Sequence, residues 1–465
     1  MLSEHRIDAA TGVLLWLVTG IVTMDAWRIH VAVPLLPVLM VTLTVLLALR
    51  VRRTRLLFVA TAILLSILLV LFVPDWNAVL LKGVRSAAFI TAFFTALSTL
   101  RNVAQTSPSI SAGGTFLALQ PPGRRYAALT LGGVMFSLML NYGAISLLGS
   151  LATASAGAEA DAEIRRHRTR RMLLAIQRGF IASLPWSPLA FAMAITNALI
   201  PGARWADSVW PGMVTAAIIA GSGWALDSLF KPKLSGPVPP AQPVAGSWRS
   251  LSPLLLLLLL LGGLVGVLHE VTGINVPGIV MLVVPILSLG WAWIQQAGGA
   301  VDTPLSARLR DYVTVELPRS RGEITLLIMA GYIGTVGAPL LLPAVEAAGL
   351  DPTGLPTWLI LGAFVWLIPI LGQIGMNPIL AVTLIAPLIP EAAELGVTPA
   401  AVVTSIVAGW AISGISSPFT ATTMLVGSFA HVSALHVGVR WNGLFVLVTA
   451  VLLTVWVLTY AFLIG

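Results

Sequence analysis

The 465-residue sequence contains no cysteine. That absence excludes disulfides, thiolate metal sites and cysteine nucleophiles. Charge is scarce as well: 9% of the residues are Asp, Glu, Lys or Arg, against about 25% in a soluble domain. There is no glycine-rich phosphate loop, no His-Glu-x-x-His pair and no serine-nucleophile motif. What is abundant is apolar surface, with 57% hydrophobic residues and a mean hydropathy of +0.95. The 26 Lys and Arg outnumber the 18 Asp and Glu, yet they form no single basic face. They sit in short clusters between apolar stretches, as membrane topology signals do. The chain is therefore expected to be an all-α polytopic membrane protein without a nucleic-acid partner.

A crossing needs about 20 apolar residues. Candidate spans are 11–27, 31–49, 56–73, 78–100, 172–200 and 207–229, then 252–270, 274–296, 322–344, 399–427 and 440–464, about eleven in all. No small-residue cleavage site follows the first of them, so it is expected to stay in the mature chain. Residues 231–250, rich in Pro, Gly and Ser, read as a cytoplasmic linker. Tryptophans such as Trp27, Trp76, Trp205, Trp210 and Trp441 fall near span ends, where an aromatic belt belongs.

Basic residues near span ends mark the cytoplasm. Clusters at Arg50–Arg55, Arg124/Arg125, Arg165–Arg171, Lys231/Lys233/Arg249 and Arg308–Arg321, with Arg6, Arg101, Arg178 and Arg440, place 22 of the 26 inside. The other side collects Asp25, Asp75, Asp207, Glu270, Glu346, Asp351, Glu391 and Glu394. The amino terminus is then cytoplasmic and the carboxyl terminus periplasmic, in a bacterial inner membrane. Two apolar stretches fail to fit as single crossings. Segment 126–152 has bases at both ends, and 356–389 has acids at both ends. Each reads as a re-entrant hairpin, the first with its tip at Asn141-Tyr142-Gly143 and the second within Pro369–Pro378. The alternative, an ordinary span at each place, flips the sidedness of everything beyond.

The sequence also repeats itself. Leu131-Gly132, Gly179 and Ser187-Pro188 recur 230 residues later as Leu361-Gly362, Gly409 and Ser417-Pro418. The loop 155–171 holds five arginines, whereas its counterpart 388–398 holds Glu391 and Glu394 and no base. Equivalent loops on opposite sides mean an inverted-topology repeat, a transporter signature.

Two broken helices accompany the hairpins. In 172–200 the run from Ser183 through Pro185 and Ser187 to Pro188 interrupts the helix. In 399–427 the run Ser413, Gly414, Ser416, Ser417, Pro418 does the same. Freed backbone survives in a bilayer only where protein or a water-filled cavity satisfies it. Half-helices starting at Ser187 and Ser417 would present N–H groups and positive dipole ends to a ligand. Exposed carbonyls, with the hydroxyls of Thr420, Thr422 and Thr423, offer oxygen ligands of the kind Na+ accepts. Asn141 and Asn377 are amides that each need a partner, within the scaffold or on a ligand. No carboxylate lies within either hairpin or either break, so a proton relay lacks residues and sodium is favoured as the coupling ion. Arg178 is expected to snorkel to the interface, and His431 and His436 read as interfacial residues.

This pattern resembles the ion transporter superfamily, and within it the divalent anion/sodium symporters. The resemblance implies one extra helix (1–30) and two inverted five-helix repeats (31–230 and 251–465), each with a hairpin and a broken helix. It implies a homodimer in which a transport domain moves against a scaffold in an elevator motion. Substrate would bind at Asn141, Tyr142, Gly143, Ser187, Gly375, Asn377, Pro378, Ser417 and Thr420. The ion would bind at Asn141, Ser183, Pro185, Ser187, Asn377, Ser413, Gly414 and Ser416. The Ser-Asn-Thr signature of the dicarboxylate members is absent from both tips, so dicarboxylate specificity does not carry over.

The function expected is secondary active transport of a small solute, an organic anion, with no enzymatic activity, no cofactor beyond Na+ and membrane lipid as surroundings. Two other readings compete: the large membrane subunit of a binding-protein-dependent transporter, and a membrane enzyme acting on lipid-linked sugars. The enzyme would want a large external loop with clustered Asp, Arg or His. The cysteine-free chain allows a direct check of the hairpins. Single cysteines at Thr353 and Gly396 are expected to react with an impermeant reagent on intact cells, and those at Gly123 and Ala158 to be protected. A pair that splits across the membrane makes its hairpin an ordinary span.

Overall fold

The computed structural model describes residues 2–232, 246–347 and 354–465. Most of the linker 231–250, with Lys233, lies outside those residues, as do Asp351 and Thr353. Every described element is helical. In chain order these are α1 (Leu2–Ala26), α2 (Leu36–Ala48), α3 (Arg53–Phe72), α4 (Trp76–Gln105) and α5 (Pro108–Ala118). Next come α6 (Pro122–Leu140), α7 (Gly143–Gly157), α8 (Ala162–Ser183), α9 (Phe191–Leu199) and α10 (Trp205–Leu229). The second half holds α11 (Ser252–Thr272), α12 (Val276–Ala297), α13 (Leu305–Asp311), α14 (Leu317–Arg319) and α15 (Arg321–Ala347). It ends with α16 (Thr357–Gln373), α17 (Pro378–Ile385), α18 (Pro399–Ser416), α19 (Ala421–Ala430) and α20 (Gly443–Thr459).

Helix starts follow from local chemistry. Prolines open α5, α6, α17 and α18, where a missing N–H is an orphan anyway. The Asp161 carboxylate caps α8 by accepting from the N–H groups of Glu163 and Ile164 at 2.7 and 3.1 Å. Asn275 caps α12 the same way, accepting from Gly278 N–H at 3.0 Å.

Among the described residues nine helices are long and apolar enough to cross a membrane, which makes the chain a polytopic α-helical membrane protein. All nine coincide with expected spans, but two of the eleven do not qualify. The stretch 31–49 condenses to Val33–Ala48, a short apolar helix. The stretch 172–200 is divided, as expected, into α8, whose first turns carry Arg165, Arg166, Arg168, Arg170 and Arg171, and the nine-residue α9. Proline and serine between them account for that.

The chain divides into two compact units. Unit one comprises Met1–Val103, Leu261–Leu355 and Ile379–Pro390, and unit two comprises Ala104–Leu260, Pro356–Pro378 and Glu391–Gly465. Each unit thus draws elements from both sequence repeats. In unit one α15 packs along α3 and also touches α2. A buried Tyr312 hydroxyl bonds Ser98 at 2.5 Å there.

Unit two is organised by two helix pairs, α6 with α8 and α16 with α18. Glycines set both contacts. A Cβ at Gly179 would overlap the carbonyl oxygen of Thr130 on α6, and one at Gly409 would overlap that of Phe364 on α16. The residues separated by 230 in sequence therefore perform the same packing task. Ser405 adds a hydroxyl bond from α18 to the Leu361 carbonyl. Helices α6 and α7, joined by Asn141-Tyr142, pack on each other and on α8, a helix–turn–helix that contains the stretch 126–152. The second stretch behaves differently: α16 belongs to unit two, while Ile379–Pro390 belongs to unit one. There Thr383 reaches the Ala330 carbonyl at 3.4 Å.

Gly179→Ala and Gly409→Ala are expected to destabilise the protein by about 1–3 kcal/mol each, since a backbone carbonyl cannot step aside like a side chain. Gly221→Ala, whose Cβ would meet nothing within 4 Å, is the control. Thermal unfolding midpoints in detergent check the difference.

Candidate functional site

The two helix breaks in unit two share one backbone geometry. Ser187 N–H donates to the Ser183 carbonyl at 3.2 Å, and Ser417 N–H donates to the Ser413 carbonyl at 3.1 Å. Beyond each, the serine hydroxyl oxygen accepts from the N–H two residues on: Leu189 to Ser187 at 3.1 Å and Phe419 to Ser417 at 3.2 Å. A serine before a proline closes the break locally in both repeats.

What satisfies the freed carbonyls differs. At the first break indoles do it. Trp186 Nε1 donates to the Ala182 carbonyl at 3.1 Å and Trp205 Nε1 to the Trp186 carbonyl at 3.0 Å. The Pro185 carbonyl lies against Gly212, where a Cβ would overlap it. The Ser183 hydroxyl turns back to the Phe180 carbonyl at 2.7 Å.

At the second break threonine hydroxyls replace the indoles. Thr420 Oγ1 lies 3.1 Å from the Gly414 carbonyl and 3.0 Å from that of Ser417. It is also 3.1 Å from the hydroxyls of both Thr422 and Thr423. Thr422 donates to the Gly414 carbonyl as well, and Thr423 to that of Ser417 at 2.7 Å. Close by in sequence, the Ser413 and Ser416 hydroxyls are buried with no hydrogen-bond partner among the described residues. The result is a dense set of neutral oxygens with no carboxylate among them. Neutral carbonyl and hydroxyl oxygens at an unwound helix are the donor type that binds Na+ in transporters.

The tips meet these breaks unequally. In the second repeat the Ser417 hydroxyl donates to the Gly372 carbonyl at 2.6 Å, and a Cβ at Gly375 would sit 3.7 Å from the Phe419 ring. Gly375 adopts φ +89°, a turn that glycine makes without strain. Half-buried Asn377 and buried Pro378 follow it. In the first repeat Asn141 takes φ +49°, unusual for a residue with a side chain. Tyr142 stacks on Phe180 with centroids 5.3 Å apart, and Gly143 opens α7. That tip therefore touches α8 one turn before the break, through an aromatic pair. The breaks themselves adjoin, because a Cβ at Gly414 would lie 3.4 Å from Ile181 and 3.8 Å from Leu184.

Arg178 does not snorkel. Its side chain is buried, with the residue 5% exposed, and is held without a carboxylate. Nε and Nη2 donate to Asn442 Oδ1 at 3.3 and 3.2 Å, and Nη1 donates to the Tyr126 hydroxyl at 3.0 Å. The guanidinium lies 4.3 Å over the Phe445 ring. Asn442 Nδ2 donates in turn to Gln177 at 3.1 Å. Sequence reasoning passed over Asn442, Phe419 and Gly372. An amide at the start of the last apolar span was the available sign of the first; nothing local marked the other two. Asn442→Leu is expected to cost about 3–5 kcal/mol by stranding the buried charge, and Arg178→Met combined with it to recover part of that loss. Unfolding midpoints of the two variants check this.

No protein-family model and no curated protein matches the sequence. Among solved structures, the YdaH transporter of Alcanivorax borkumensis is similar over 87% of this chain and 98% of its own, at 18% identity and a TM-score of 0.59. MtrF of Neisseria gonorrhoeae, described as illuminating a class of antimetabolite efflux pumps, is similar over 90% of this chain and 96% of its own, at 14% identity and a TM-score of 0.50. The chain has the fold of these membrane transporters.

Proposed function

We propose that the protein is a secondary active transporter of the inner membrane that couples an organic anion to Na+. The observation that carries this reading is the oxygen cluster at the second break. Thr420, Thr422 and Thr423, the Gly414 and Ser417 carbonyls and the unpartnered Ser413 and Ser416 hydroxyls supply neutral donors, with no acidic group to relay a proton. Arg178, whose hydrogen-bond partners among the described residues are neutral, adds a buried positive charge to the same unit, which favours a negative solute. Substrate would bind between Gly375–Asn377 and the half-helix starting near Ser417.

An elevator movement of unit two is part of the proposal, supported by its holding both breaks and both tips. So is the homodimer that the resemblance to divalent anion/sodium symporters implies. MtrF is described as an efflux pump, so either direction of flux fits. The fold likeness to two transporters favours this reading over a membrane enzyme.

The test is counterflow in proteoliposomes, with 22Na+ followed against a panel of organic anions in both directions. At least one anion is expected to drive Na+ movement, and Thr422→Val, near-isosteric but without the hydroxyl, to raise half-saturating Na+ about tenfold or more. Flux that follows a pH gradient and ignores Na+ would overturn the coupling, and its absence with every anion would overturn the substrate class.

A further inference from the structure

Unit one carries a cavity that contains none of the residues at either helix break. It runs between α2, α3, α4 and α15, measures about 780 Å³ and is lined almost wholly by aliphatic side chains. Its polar lining consists of Thr44 and the Tyr332 hydroxyl bonded to Ser66 at 2.8 Å. The groove is open along one side, where Val45, Ile63, Ile67 and Leu71 are exposed. From Val59 to Leu71 it follows α3 for about 18 Å at 1.5 Å per residue, close to the roughly 15 Å of one leaflet's hydrocarbon.

Its lining reaches Ala48 and Leu49, beside the turn that carries Arg50, Arg52, Arg53 and Arg55. Arg50 is committed to Glu4 and Asp8 at 2.8 and 3.3 Å, and Arg55 interacts with Glu323. Arg52 and Arg53 are exposed and join no ion pair among the described residues. An acyl-sized apolar groove therefore ends at Leu49, three residues before Arg52 and four before Arg53, which are exposed and outside every ion pair among the described residues.

We infer that this groove binds an anionic phospholipid, with one chain between α2 and α3 and its phosphate on Arg52 and Arg53. Arginine holds phosphate oxygens by paired, charge-assisted hydrogen bonds, and basic residues beside a membrane helix select anionic lipid. A second copy is a poorer occupant. A two-fold interface built on this patch would bring two sets of uncommitted arginines together.

The experiment is native mass spectrometry of delipidated protein offered equal phosphatidylglycerol and phosphatidylcholine with matched chains. Wild type is expected to retain the anionic lipid by roughly 30-fold over the neutral one, given two arginines at the surface. Arg52→Gln with Arg53→Gln should bring the two lipids to parity. Ile67→Trp, which fills the groove from its exposed side, should reduce retention of phosphatidylglycerol without changing the unfolding midpoint. Parity in the wild type, or a preference that survives the double glutamine variant, would overturn the site and leave annular lipid only. Disulfide-linked dimers of Ile67→Cys in oxidised membranes would overturn it too, by placing a second copy on the groove.

Discussion

A helix interrupted inside hydrocarbon has to satisfy its freed carbonyls from within the protein, because an unsatisfied one costs several kcal/mol there. Unit two is arranged around meeting that demand twice. Ser187 and Ser417 close their breaks with the same pair of bonds, backbone to the serine four residues back and hydroxyl to the N–H two residues on. Glycines at 179 and 409 let the interrupted helices lie directly on the carbonyls of α6 and α16. Repeated sequence thus becomes repeated structure at the level of individual hydrogen bonds.

The same demand is met by different chemistry in the two halves, and there the symmetry ends. Tryptophan indoles at 186 and 205 can donate but not accept, so they seal the first break. Threonine hydroxyls at 420, 422 and 423 donate to the carbonyls and keep lone pairs of their own, so the second break remains an oxygen-lined place. Two structurally matched elements thus differ in surface chemistry, one closed by indoles and the other lined with hydroxyls.

Much of this was legible from the sequence because membrane crossing is so restrictive. Nine of eleven expected spans are helices of crossing length, and Ser-Pro at matched positions marked both breaks. The misses have physical causes. The break expected in 172–200 lies where Pro185 and Ser187-Pro188 put it, between Ser183 and Phe191, whereas the shortening of 31–49 to Val33–Ala48 had no comparable mark. Arg178 was expected at the interface because side-chain length alone permits snorkelling. The bonds that hold it inside come from Tyr126 and Asn442, 52 and 264 residues away. The division of 356–389 between units likewise depends on tertiary packing that no local pattern encodes. The distinction between indole-sealed and hydroxyl-lined breaks was invisible for the same reason, since Trp205 comes from the next helix.

The central claim is that the second break is an ion site made of neutral oxygens. It is tested most directly by the thermal unfolding midpoint of the detergent-solubilised protein, titrated with NaCl against choline chloride at matched ionic strength. A ligand that binds only the folded state raises stability as RT ln(1 + [L]/Kd). The account predicts a saturable, Na+-specific rise in wild type that Thr423→Val abolishes. A midpoint that moves equally with choline, or a Na+ response that the variant keeps intact, would contradict it.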